Sequence, residues 1–195
     1  MFVDKDMIEN FKSQKIALLV LDVQNYFFDK NSPAYLENSP AILPAINQLL
    51  EHAASHGWPI IATSHRSPSK PGNLMSQKWK RLPDGEACKL FPALELGRNV
   101  KILFKEHYSA FFETDLAEFL RRRNVRKVVA CGVMTHLCVD TTVRHAFMLG
   151  FWPIVVSDAC CSKSDSYHSA ALNALSHGFA EILPSRAVGM LVDDN

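Results

Sequence analysis

The chain has 195 residues, 48% hydrophobic and 21% charged, the length and balance of one globular domain spanning residues 1–195 whose core needs no disulfide or metal staple. Its formal net charge of +1 supplies no basic field for nucleic acid or an anionic membrane. Small neutral substrates and further copies of the chain are the partners that this composition leaves open.

The N-terminal MFVDKDMIENFKSQK is polar and mixed in charge, unlike the apolar core of a secretion signal. No later apolar run reaches the roughly 18 residues of a membrane span, so a cytoplasmic location is expected. Residues 16–22 (IALLVLD) then read as a strand buried on both faces, closing on Asp22. Residues 41–56 have helical spacing and stop at Gly57; WPIIAT at 58–63 is a second strand. The stretch 66–99, with Pro68, Pro71, Gly72, Pro83, Gly85, Pro92 and Gly97, is too long for a plain connection and is expected to be a lid or a subunit contact. VKILFK at 100–105 is a third strand, closing on Lys105. Thr114 is a candidate N-cap for a helix over 115–124. KVVACGV at 127–133 is a fourth strand, followed by a helix over 137–149 that stops at Gly150. PIVVSD at 153–158, a helix over 165–177 stopping at Gly178, and a short strand over 179–183 complete the pattern. Strand and helix alternate throughout, which predicts a doubly wound α/β sheet with right-handed crossovers. No strand is followed by G-x-G-x-x-G and no P-loop is present, so no dinucleotide or other cofactor is expected.

Ligand sites in such sheets lie at the carboxyl ends of the strands. Asp22, Lys105 and the turn that leads to Cys138 are the chemically distinctive residues there. Asp22 is a candidate general base, or else an ordinary capping aspartate. Lys105 is a surface charge, or else a cation that stabilises a thiolate and keeps Asp22 ionised. The five cysteines, at 88, 131, 138, 160 and 161, form neither a disulfide framework nor a zinc pattern. Cys131, inside a strand, reads as a small packed hydrophobe. Cys138 falls in the first turn of a helix, where unpaired N–H groups favour an anion, and is the candidate nucleophile with a lowered pKa.

The segments LLVLDVQNYF (residues 18–27), FKEHYSAFFETDL (104–116), CGVMTHLCVDTTVRHAFMLGF (131–151) and VVSDAC (155–160) resemble the isochorismatase-like cysteine hydrolases. That group includes nicotinamidases, carbamoylsarcosine and ureidoacrylate amidohydrolases, and isochorismatases. The resemblance implies a three-layer αβα fold with a mainly parallel sheet of about six strands, a catalytic triad of Asp22, Lys105 and Cys138, and a homo-oligomer. It also implies a cis peptide bond between Val133 and Met134 that aims the N–H groups of Met134 and Cys138 at a substrate oxygen. Nicotinamidases carry a metal site of pattern D-x-H followed by a second histidine. Here Thr63 stands two residues before His65 and no histidine follows in the loop, so no bound metal is expected. Isochorismatases place an inert residue where Cys138 stands, although KEHYSAFFETDL is closer to their pattern than to that of nicotinamidases. The thiol favours C–N hydrolysis of an amide, carbamoyl or ureido group, with vinyl ether hydrolysis and a non-catalytic interaction protein as the alternatives. Phe27, His65 and Tyr108, and beyond them Tyr35, are candidate pocket residues; core packing is the competing role for the aromatic ones.

Overall fold

The computed structural model describes residues 14–69 and 72–189. Six strands, β1 (Lys15–Leu21), β2 (Ile60–His65), β3 (Val100–Lys105), β4 (Val125–Val133), β5 (Trp152–Cys161) and β6 (Glu181–Leu183), form one sheet in the order β3-β2-β1-β4-β5-β6. Every pairing is parallel. The helices are α1 (Asn25–Phe28), α2 (Ser39–Ser55), α3 (Leu74–Lys78), α4 (Leu116–Arg122), α5 (Asp140–Met148), α6 (Asp165–Gly178) and α7 (Ser185–Val188).

The apolar runs form strands because helices cover both faces of the central sheet; residues 16–21 of β1 are all buried, as are residues 127–133 of β4. At the edge the pattern changes. In β3, Leu103 and Lys105 are buried while Ile102 and Phe104 are 41% and 51% exposed, since the described residues of the connection from β2 to β3 carry only α3 and one short 3₁₀ turn, Gly85–Cys88. Strand order reverses between β1 and β4, which opens a crevice at their carboxyl ends. There Gly132 (φ +112°) lies so close to β1 that a Cβ would stand 2.1 Å from the Leu21 carbonyl oxygen. No side chain fits, and glycine also tolerates the positive φ.

Several boundaries differ from expectation. Asp22 is not the last residue of the strand but the first beyond it, with φ 55°, so the chain turns away from the sheet at the acid. β5 runs to Cys161: a register irregularity between Ala130 and Gly132 lets Cys160 and Cys161 pair with Gly132 and Val133. Gly57 and Gly150 take positive φ at their helix ends, but Gly178 is the last helical residue without one, and Phe179 is the C-cap. The Thr114 hydroxyl accepts weakly from the Leu116 N–H at 3.4 Å while Asp115 holds the N-cap position.

The long connection lies across the ends of β1 and β2. Asn25 N–H donates to the Lys89 carbonyl, Phe91 N–H to the Val23 carbonyl, and Ser67 N–H to the Pro83 carbonyl, each at 2.9 Å. The hydroxyls of Ser64 and Tyr26 reach the carbonyls of Cys88 and Arg81. Farther out, Trp79 Nε1–H donates to the Tyr108 hydroxyl at 2.6 Å. Among the described residues, no helix is long and apolar enough to cross a membrane.

Candidate active site

Four strand ends converge on the crevice. Asp22 leaves β1 with its backbone fixed by Thr63 of β2: the Asp22 N–H donates to Thr63 Oγ1 at 3.0 Å, and that hydroxyl donates back to Asp22 Oδ1 at 2.6 Å. Lys105, the last residue of β3, places Nζ 2.7 Å from Asp22 Oδ2, 3.0 Å from the His107 carbonyl and 3.4 Å from Cys138 Sγ. Oδ2 stands at ion-pair distance from that ammonium, so the two buried charges are matched. Cys138 sits in a wide turn, residues 135–139, in which the Val139 N–H reaches five residues back to the Met134 carbonyl at 3.2 Å. The turn leads into α5, follows a cis peptide bond between Val133 and Met134, and is braced by Thr135 Oγ1 against His168 Nδ1 at 2.8 Å and by His136 Nδ1 against Ser162 Oγ at 2.9 Å.

The site is closed to solvent: Asp22, Lys105, Cys138 and His65 are 0%, 2%, 3% and 4% exposed. Burial alone would push the Asp22 carboxyl up, but the Lys105 ammonium, His65 and hydrogen bonds from Cys138 and Lys105 together outweigh it and hold the group below the ordinary carboxylate range. Burial would likewise push Lys105 down, but Asp22 and then Cys138 raise it above its ordinary value. For Cys138 burial wins: it pushes the thiol well above its ordinary range, assisted by Asp22 and opposed by Lys105. The lowered thiol pKa expected of a helix start is therefore not what the resting site has. At neutral pH it holds a carboxylate, an ammonium and a protonated thiol, which needs a base to become a nucleophile. Cys131 is also pushed up by burial; its thiol donates to the Leu19 carbonyl at 3.7 Å, as strand packing predicts.

His65 ends β2. Its N–H donates to Gln24 Oε1 at 2.8 Å and its carbonyl accepts from Gln24 Nε2 at 3.0 Å, so the side chain of Gln24 pins the backbone next to Asp22. The sequence pattern offers His65 alone as a metal ligand, whereas the fold brings one ligand atom each of Asp22, His65 and Cys138 within 4.8 Å of one another. The Lys105 ammonium already stands against two of these groups, and a divalent ion there would be repelled by it. This donor set fits a fixed cation rather than a metal. Phe27, on α1, lies in the hydrophobic core, packed edge-on against Tyr26 at 4.9 Å between ring centroids. Tyr108 is half-buried beside the lysine loop, held by Trp79, and Tyr35 is half-buried in the segment between α1 and α2. Sequence reasoning weighed Thr63 only as a missing metal ligand and passed over Gln24. Their only sequence signal is position, at the end of β2 and two residues after Asp22.

Residues 16–187 match the family model of the Isochorismatase domain. The chain is 30% identical over 178 residues to nicotinamidase 3 of Arabidopsis thaliana, covering 88% of this chain and 85% of that one. The solved structure of a pyrazinamidase/nicotinamidase from Streptococcus mutans UA159 is 31% identical, with a TM-score of 0.77 over 87% of this chain and 100% of the other. A cysteine hydrolase from Pseudomonas syringae pv. phaseolicola shares the fold, with a TM-score of 0.86 at 22% identity over 92% of both chains.

Proposed function

Because the chain belongs to the isochorismatase family of hydrolases, we propose that it cleaves a C–N bond of a small amide, carbamoyl or ureido compound through a thioester on Cys138. One observation carries this reading: the buried Cys138 thiol and the buried Asp22 carboxyl share the same ammonium, Lys105 Nζ, at 3.4 and 2.7 Å. Asp22 Oδ2 takes the thiol proton, and Lys105 stabilises the resulting thiolate. The thiolate attacks the carbonyl carbon, and the oxyanion is held by the N–H groups of Met134 and Cys138, donors that typically contribute roughly 10²-fold or more in rate. Asp22 then passes its proton to the leaving nitrogen as the C–N bond breaks. Water gives a proton to Asp22 as its oxygen attacks the thioester, and the proton returns to sulfur as the acid leaves.

Similarity to a nicotinamidase and a pyrazinamidase/nicotinamidase supports amide chemistry. The Thr63 hydroxyl, committed to Asp22 on both sides, leaves the ligand set of a nicotinamidase metal site incomplete and argues for a different amide. The exposed Phe147, Met148 and Trp152 support a homo-oligomer as the working form. The test is incubation of the protein and its Cys138→Ala variant with isochorismate, nicotinamide and a panel of ureido and carbamoyl compounds. Ammonia release by the parent protein alone is the expected result. Pyruvate release from isochorismate without ammonia from any amide, or turnover retained in Cys138→Ala, would overturn the reading.

A further inference from the structure

The mechanism above leaves one polar atom of the site unused. His65 is buried beside Asp22 and Cys138, and among the described residues its Nε2 has no hydrogen-bond partner. The backbone of Glu106 lies against the ring and favours its protonated form. The Nδ1–H tautomer presents Nε2 as a bare lone pair. Burial, followed by the Lys105 ammonium, lowers the ring's pKa to about 4, so the ring is neutral at neutral pH. The Gln24 fork on both backbone groups of His65 keeps the residue in place.

Among the described residues, the neighbouring donors are directed elsewhere. The Thr63 hydroxyl donates to Asp22 Oδ1. The Lys105 ammonium faces Asp22 Oδ2, the His107 carbonyl and Cys138 Sγ. The Cys138 thiol lies beside Asp22, and ionised Asp22 only accepts. A buried acceptor without a donor is costly until a ligand supplies the hydrogen.

We propose that His65 Nε2 accepts a hydrogen bond from the substrate's own N–H beside the reacting carbonyl, which makes His65 the residue that selects primary amide, carbamoyl or ureido groups against esters. This rests on the C–N hydrolysis reading for the identity of the donor. An ester oxygen in the same position would face Nε2 lone pair to lone pair. After cleavage the departing nitrogen carries an additional hydrogen, so the same acceptor holds the leaving amine.

The test compares alkylation of Cys138 by iodoacetamide and by methyl iodoacetate, read by mass spectrometry of the Cys138 peptide. In both, sulfur displaces iodide from the methylene carbon while the thiol proton passes to Asp22; the probes differ in the group beside the carbonyl, an amide NH2 against an ester OCH3, and the free thiol and the His65 variants calibrate that difference. In the parent protein the amide-to-ester rate ratio should exceed that of free 2-mercaptoethanol by about 10-fold or more, the discrimination of a buried group left unpaired. His65→Phe should reduce the ratio to that of the free thiol, and His65→Gln, whose Oε1 also accepts, should retain part of it. If the Phe variant does not fold, His65→Leu takes its place. A ratio at the free-thiol value in the parent protein, or one unchanged by the substitutions, overturns the assignment. Ammonia release from nicotinamide and methanol release from methyl nicotinate are followed in parallel. Discrimination in alkylation without ammonia release from any amide counts against the hydrolase reading and leaves His65 standing; ammonia release without discrimination does the reverse.

Discussion

Replacing Lys105 by Met removes the ammonium that faces Asp22 Oδ2 at 2.7 Å in a fully buried site. At an effective dielectric of about 20, charges at that distance attract by roughly 6 kcal/mol. Breaking a buried pair by deleting one partner costs about 3–5 kcal/mol, because the other charge stays behind unpaired. The sign of the pH dependence separates this account from a simple packing defect. In the parent protein the folded Asp22 pKa is depressed, so its contribution is present above the unfolded carboxylate value near 3.9 and is lost only as pH falls through the lower folded value. In Lys105→Met, burial is the largest influence on Asp22 and now raises it. The folded variant then binds a proton that the unfolded chain does not, and its stability increases as pH falls from 8 towards 5, by up to about 1.4 kcal/mol per pH unit. Urea denaturation of both proteins at pH 5, 6, 7 and 8 measures the difference. A gap of about 3–5 kcal/mol at pH 8 that narrows on acidification is expected, with hydrolysis abolished at neutral pH because a protonated Asp22 cannot act as base. A gap independent of pH, or one that widens on acidification, would refute the reasoning.

Thr63→Val keeps the shape of the side chain but removes the hydroxyl that fixes Asp22 from two directions; kcat/KM should fall about 10- to 100-fold, as the loss of a charge-assisted hydrogen bond worth about 1.5–3 kcal/mol implies, and an unchanged value would remove Thr63 from the site. Gly132→Ala drives a Cβ to 2.1 Å from the Leu21 carbonyl oxygen, and a loss of more than about 2 kcal/mol is expected by denaturation or, failing that, no soluble protein. Native-state alkylation should label Cys138 well before Cys131: burial raises both thiols, but Asp22 and Lys105 lie beside only the first. Equal labelling times, read by peptide mass spectrometry, would contradict a base-assisted thiol.

The sheet was legible in the sequence because IALLVL, VKILFK and KVVACGV are short apolar runs separated by helical spacing, and continuous burial on both faces leaves such runs little else to form. The acid and the lysine were legible because each stands where a strand ends, and the cysteine because it follows the turn beyond β4. Partnerships across strands were not. Thr63 and Asp22 are 41 residues apart in sequence, and only the parallel register of β1 with β2 makes them neighbours. The direction of the Cys138 shift was misread because a helix start suggests a stabilised anion, while burial, which the local sequence does not encode, outweighs that effect. The reach of β5 to Cys161 was hidden by Ser157 and Asp158, polar residues that look like a strand end and instead precede its return to the sheet.

The positions of the strands divide the site unequally. Carboxylate and thiol come from β1 and β4, the innermost pair, whereas the ammonium comes from β3, which pairs with β2 alone and ends the sheet. Edge strands open at lower free energy than central ones. In the proposed mechanism, fraying of this one strand would withdraw the counter-charge while Asp22 and Cys138 keep their seats, leaving a chain that is still folded but chemically silent. Hydrolysis would then report on the order of the sheet's margin, and would be lost on heating or in denaturant before the centre of the sheet gives way.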